Sequence, residues 1–308
     1  MRRFLHDSET GLIVPRERRI EPASPRLCSM LHQFQQGQFG RTQSGRLTVS
    51  EAVSIYNDLL LWIDFEQNNS DTFWDDLHSS GNDMTLMNSL ATSSSGGTAS
   101  PLNGRWGGAF NAGAGSGIRG QYIPRSNTTF DKGDVNFSFW IWTYITSLPA
   151  ANGYTVIGGR YGGTSATQKC YAIMERRVTG GTQTFEFMVR NSADSADTIL
   201  TSGSATSNAW TLLTFVHDAT NDQLRSYVNT TKYSQSYSSG VYSGGSSNFS
   251  TGNGFISDTT IYNPALGLGH REDQVGFVNH AMTDSEVSYI YNSGAGKTYA
   301  AFSADAGH

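Results

Sequence analysis

The run VNFSFWIWTYI, residues 135–145, carries apolar side chains on both parities of a strand. Phe137, Phe139 and Ile141 fall on one face, and Trp140, Trp142 and Tyr144 on the other, because successive strand side chains point to opposite sides. A run that is apolar on one parity suits a sheet with one wet face. A run that is apolar on both needs cover on both sides. Such a strand belongs in the middle of a packed sandwich.

Toward the N-terminus, LLLWIDFE (59–66) places Leu61, Ile63 and Phe65 on one face and Trp62, Asp64 and Glu66 on the other. Further strands are predicted over Gly120–Pro124, Thr155–Arg160, Cys170–Arg176, Thr184–Arg190, Ala209–His217, Gln223–Asn229 and Asp273–His280, with Gly, Asn, Asp and Ser clusters between them as turn chemistry requires. Phe137, Phe139, Ile141, Trp210, Leu212, Phe215, Val275 and Phe277 are the expected core contributors. Residues 234–254, rich in Ser and Gly but with Tyr237, Tyr242 and Phe249, read as a long loop or irregular hairpin at one edge.

The end of the chain changes character. REDQVGFVNHAMTDSEVSYIYNSGAG (271–296) reads as a strand, a short link and one helix. Thr283-Asp284-Ser285-Glu286 has the form of a capping box, and two acids in the first turn suit the helix dipole. Val287, Ile290 and Tyr291 make one narrow apolar stripe, and Gly294 follows as a stop. A helix this short is unstable alone in water and must dock on something larger. A turn or two of helix is also expected near Val49–Tyr56, before the first strand.

In this order, LLLWIDFE, DDLHSSGNDMTLMN, RWGGAFNAGAGSGIRGQYI, VNFSFWIWTYITSLP, AWTLLTFVHDATNDQLRSYVN and EDQVGFVNHAMTDSEVSYIYNSG resemble the laminin-G-like, concanavalin A-like lectin/glucanase jelly roll superfamily over about residues 58–297. The resemblance implies an all-β fold, a two-sheet antiparallel jelly-roll sandwich. Its last strand would lie in the sheet that holds the first strand, and its short C-terminal helix would cover one end of the sandwich. The superfamily holds lectins, adhesion modules, pentraxin-like proteins, glycosidases and virus-particle appendages, so fold alone does not fix function.

Three regions are expected: an extended basic N-terminal anchoring arm (1–57), the laminin-G-like jelly roll (58–297) and a C-terminal tail (298–308). The net charge of −5 is uneven. Residues 1–50 hold eight Arg, no Lys and four acids, a net +4, whereas the remainder holds 13 bases and 22 acids, a net −9. Arg favours forked, partly buried pairing and Lys decorates solvent. The arm therefore reads as a partner-binding segment, with Arg2, Arg3, Arg16, Arg18, Arg19 and Arg26 as donors and Leu12, Ile13, Val14, Phe34 and Phe39 as short apolar anchors. Cys28 and Cys170, the only cysteines, show no metal spacing and are expected to stay reduced. No apolar run approaches the length of a membrane span. No apolar h-region follows Arg2-Arg3, so no signal peptide is read.

Glycoside hydrolysis needs two convergent carboxylates. The E-x-D-x-x-E strand motif of the laminarinase branch is absent. Asp64 and Glu66 share a strand face, and Glu175 and Glu186 sit on different strands; both pairs read as ordinary surface acids. No nucleophile elbow, phosphate loop or His-based zinc spacing occurs. Calcium is the one cofactor considered, since relatives bind it through hard oxygen ligands. Its candidate ligands are Asp75, Asp76, Asn82 and Asp83 in the DDLHSSGND loop, with Glu272 or Asp273. The alternative is that this loop's Asp and Asn cap turns. The acidic body disfavours nucleic acid.

The expectation is a non-enzymatic structural or adhesion protein of a bacteriophage virion, either a capsid decoration protein or a tail or head-fibre adhesin. It would be assembled in the host cytoplasm in many copies or as a homo-oligomer. The arm would anchor it on other virion proteins, and the jelly roll would be free to bind a glycan. The alternative is a soluble or secreted carbohydrate-binding lectin module.

Overall fold

The computed structural model describes residues 5–6, 13–14, 39–41, 47–65, 73–78, 81–87, 99–100, 109–111, 120–123, 128–145, 154–162, 168–177, 183–204, 206–252, 254–257, 260–262 and 270–308. The chain divides into two units, 1–50 and 51–308. In the first, Leu5–His6 pairs antiparallel with Ile13–Val14, and Phe39–Arg41 with Leu47–Val49.

Sixteen strands of the second unit build two facing sheets. In chain order they are β1 (Leu59–Ile63), β2 (Phe73–Trp74), β3 (Met84–Met87), β4 (Ala99–Ser100), β5 (Ala109–Asn111), β6 (Gly120–Tyr122), β7 (Phe137–Ile145) and β8 (Tyr154–Tyr161). There follow β9 (Lys169–Arg177), β10 (Gln183–Arg190), β11 (Asp197–Ser204), β12 (Trp210–Asp218), β13 (Gln223–Val228), β14 (Thr231–Ser236), β15 (Phe249–Thr251) and β16 (His270–Val278). One sheet runs β11-β10-β9-β8-β15-β6-β3-β2. The other runs β14-β13-β12-β7-β16-β5-β4, with β1 also paired to β16. Neighbours are antiparallel. This is a jelly-roll sandwich, and its last strand does lie beside the first, Phe277 opposite Leu61.

The double-sided reading of β7 holds. Phe137, Phe139 and Ile141 face the other sheet and meet Phe215, Phe277, Tyr171 and Phe249 in one buried cluster. Each such ring is worth about 1.5–3 kcal/mol when removed from water. Gly158 on β8 sits directly across from Ile141, and a Cβ there would overlap the Ile141 side chain. Two expected core residues lie on the other face of β12, Leu212 fully buried there and Trp210 half-buried. Trp210 and Leu212 share a parity with Thr214 and Val216, opposite to Leu213 and Phe215, which face the core. TLLTFV is apolar on both parities, so periodicity alone could not choose between them.

The outer face of the β7 sheet is covered by helices. In α2 (Asp284–Tyr291) the capping box forms as read: Thr283 Oγ1 accepts from the Glu286 N–H at 3.3 Å, and Glu286 Oε2 accepts from the Thr283 N–H at 2.7 Å. The helix ends at Asn292, in the left-handed region at φ 47°, before Gly294. Tyr291 stacks on Trp142 at 5.8 Å, so α2 lies over the sheet face rather than over the sandwich end. Residues 298–308, expected as a tail, form a second helix, α3 (Tyr299–Ala306). Thr298 caps it, and Phe302 is fully buried on Trp62. Its two buried residues, Phe302 and Ala306, stand one turn apart among Ala and Ser, too faint a stripe to read in advance. The helix expected near Val49–Tyr56 is α1 (Ser50–Asn57); from Glu51 onward it belongs to the sandwich unit. Trp140 lies flat against Gly276 beneath these helices, where any Cβ would overlap its indole.

The 234–254 stretch is not simply an edge loop. Thr231–Ser236 is an edge strand, but Phe249–Thr251 pairs with both β8 and β6 in the interior of the other sheet. Three residues, two of them Ser and Thr, leave no apolar period to read.

Candidate functional site

The helical cover stops one row short of the sheet's end. Beyond Trp142 and Tyr291, the next outward row is Arg271 on β16, Tyr144 on β7 and Trp210 on β12, held side by side by strand register. All three are half-buried. The Tyr144 and Trp210 ring centroids lie 5.4 Å apart at an interplanar angle of 58°. The Arg271 guanidinium sits 5.5 Å from the Tyr144 centroid. The row is an amphipathic shelf with ring faces flanked by N–H donors, an arrangement suited to a partner that is apolar on one face and hydroxylated at its edges. The sequence displayed Tyr144 as an outward residue. It hid Trp210 among the expected core, and it gave no sign of Arg271, whose place depends on the register between β16 and β7.

The acidic loop is tied into its own backbone. Asp76 Oδ1 accepts from the N–H of Trp62 at 2.9 Å and of His78 at 3.1 Å, and Oδ2 accepts from the Asn82 N–H at 3.2 Å. Asp83 Oδ1 accepts from the Asp76 N–H at 2.9 Å, and the Asn82 amide donates to the Leu60 carbonyl at 2.7 Å. Asp75 is exposed. Glu272 points into the sandwich, where Oε1 accepts from the Gly252 N–H of the opposite sheet at 3.0 Å. Asp273 is fully buried in the bulge where β16 loses register with β7. Among the described residues, no three His, Cys, Asp or Glu side chains converge as a metal site.

The strand acids do not converge either. Glu175 pairs in register with Phe185 and faces the core, whereas Glu186 pairs with Met174 and faces outward. Burial pushes the Glu175 carboxyl up to about 8, and among the described residues neither of its oxygens has a hydrogen-bond partner. Glu186 pairs with Arg176 at 3.2 Å. Asp64 is half-buried, and Glu66 lies outside the described residues. Cys170 is a buried free thiol; Cys28 lies outside the described residues. Of the arm candidates, Ile13, Val14 and Phe39 are described as backbone only. Arg2, Arg3, Leu12, Arg16, Arg18, Arg19, Arg26 and Phe34 lie outside the described residues. No helix among the described residues is long and apolar enough to cross a membrane.

A family model described as the concanavalin A-like lectin/glucanases superfamily matches residues 115–288. The chain belongs to that superfamily. No curated protein matches it. Among solved structures, the binding domain of Paraclostridial mosquitocidal protein 1 superposes with a TM-score of 0.56 at 12% identity, over 78% of this chain and 53% of that one. A botulinum neurotoxin type C structure, concerned with its interaction with two ganglioside molecules, gives 0.54 at 12% over 78% and 52%. The botulinum neurotoxin serotype D binding domain gives 0.53 at 14% over 80% and 53%. The chain thus spans about half the length of these proteins, and at such identity the likeness is one of fold.

Proposed function

We propose that the sandwich is a non-catalytic glycan-recognition module whose contact surface is the Arg271–Tyr144–Trp210 row. The observation that carries this reading is that the row is only half-buried, at the edge of a helical layer that covers the rings beside it. Pyranose rings present C–H faces that pack on aromatic planes, while their hydroxyls need donors and acceptors at the rim. Membership of a lectin-containing superfamily supports the reading, as do the binding domains among its fold neighbours. The inward Glu175 and the ion-paired Glu186 support binding without hydrolysis. A glycan array probed with the chain and with Trp210→Ala and Tyr144→Ala tests it. Wild-type binding should fall by roughly tenfold or more in each variant, the loss expected of an aromatic contact hot spot. Binding that survives both changes would place the glycan elsewhere.

The module's setting is a second part of the proposal. Residues 1–50 anchor it in many copies on a larger assembly, a bacteriophage virion being the one expected. The support is the contrast between the Lys-free arm, at +4, and the acidic remainder, at −9. Removing residues 1–50 should leave the sandwich folded but unable to join particles.

A further inference from the structure

We infer that the Arg271–Tyr144–Trp210 row takes an acidic sugar, with Arg271 clasping its carboxylate; this rests on the glycan-recognition reading above. Among the described arginine side chains, Arg160, Arg176, Arg190 and Arg225 each pair with a carboxylate: Asp131, Glu186, Asp194 with Asp197, and Asp218 in turn. Arg271 has no carboxylate partner among the described residues; its guanidinium sits over the Tyr144 ring instead. Its neighbour Glu272 is turned the other way, into the sandwich.

The segments that join β5, β7, β12 and β16 at this end are 112–119, 146–153, 205–209 and 252–269; together they contain one acid, Asp258, and one further base, Arg119, whereas Asp64, Glu66 and Asp71 follow β1 at the same end. More acids gather at the opposite end, with Asp131, Asp134, Asp194, Asp197, Asp218 and Asp222 at or beside its turns. A guanidinium resting 5.5 Å from a ring centroid has fewer orientations open to it, and its planar fork of N–H donors can meet a carboxylate with two parallel hydrogen bonds. Trp210, on the far side of Tyr144, then supports the body of the sugar.

The test compares saccharides that differ only in charge, by calorimetry on the full chain at low ionic strength. Sialyllactose is set against its sialyl methyl ester, oligogalacturonate against its methyl ester, and sulfated lactose is the third anion. The carboxylated member of a pair should bind roughly tenfold tighter than its neutral partner, and that advantage should shrink with added salt. Arg271→Gln should erase the advantage and leave the weak neutral binding, and Arg271→Lys should restore only part of it. Trp210→Ala should remove both kinds of binding. Equal affinity for charged and neutral members, unaltered by Arg271→Gln, overturns the acidic-sugar inference and leaves glycan recognition standing. Tightest binding to sulfated lactose overturns the carboxylate assignment. No binding of any saccharide by the wild-type chain overturns this inference and the glycan reading together.

Discussion

Phe302 lies stacked on Trp62, with ring centroids 4.6 Å apart and planes 18° from parallel. One ring comes from the last helix and the other from the outer face of the first strand of the sandwich, so the contact clasps the two ends of the unit. Both residues are fully buried. Phe302→Ala should cost about 3–5 kcal/mol by chemical denaturation, the range for deleting a buried aromatic side chain. A loss under about 1 kcal/mol would mean that α3 contributes nothing to the fold.

His280 joins two carboxylates at the start of α2: Nδ1 lies 2.9 Å from Asp58 Oδ2, and Nε2 lies 3.1 Å from Glu286 Oε1. Burial alone would lower the imidazole's pKa, but Glu286 and Asp58 outweigh it and raise it. Burial likewise opposes the Glu286 charge, yet His280, the Ser54 hydroxyl and the Thr283 N–H hold its pKa down to about 2. The signs then differ. The His280 contribution is complete below about 6.5 and fades as pH rises through its raised value. The Glu286 contribution is complete above about 4.5 and fades toward about 2. Wild type should therefore exceed His280→Gln in stability most clearly between about pH 4.5 and 6.5. A difference between them that stays flat from pH 4 to 9 would refute the coupling.

Glu175 acts with the opposite sign. An acid raised to about 8 by burial is neutral in the fold while its unfolded counterpart is ionised, so stability falls as pH climbs from about 4.5 to about 8. The apolar, similarly sized Glu175→Met should stabilise the protein by roughly 1–3 kcal/mol at pH 8 and change little at pH 4.5. A destabilised variant at pH 8 would show that the carboxyl has a partner that stabilises it.

Asp76 takes hydrogen bonds from three backbone N–H groups. Asp76→Ala should cost about 1–3 kcal/mol by orphaning them. The loss in Tm should be the same in chelator as in millimolar calcium. A calcium-dependent rise in the parent Tm, abolished by the substitution, would make the loop an ion site instead.

The sequence disclosed most of the sandwich because β7 advertises both its faces and Thr283–Glu286 announces a helix start. It disclosed less where the pattern carries no parity. TLLTFV is apolar on both parities, so periodicity points Trp210 toward the core, whereas register places it beside Tyr144. β15 is short and half polar, and α3 shows only Phe302 and Ala306. The candidate site was hardest of all. Arg271 joins Tyr144 and Trp210 through pairing across three strands, information that no local window contains.

The indole of Trp210 gives the most direct test of the central claim. Trp62, Trp74, Trp140 and Trp142 are at most 1% exposed, whereas Trp210 is only half-buried. In an NMR titration with the saccharide that binds most tightly on the array, the indole N–H resonance that disappears in Trp210→Phe should shift. The shift should be saturable, while the resonances of the four buried indoles stay in place. Saturable glycan binding that leaves the Trp210 resonance unmoved would contradict the account.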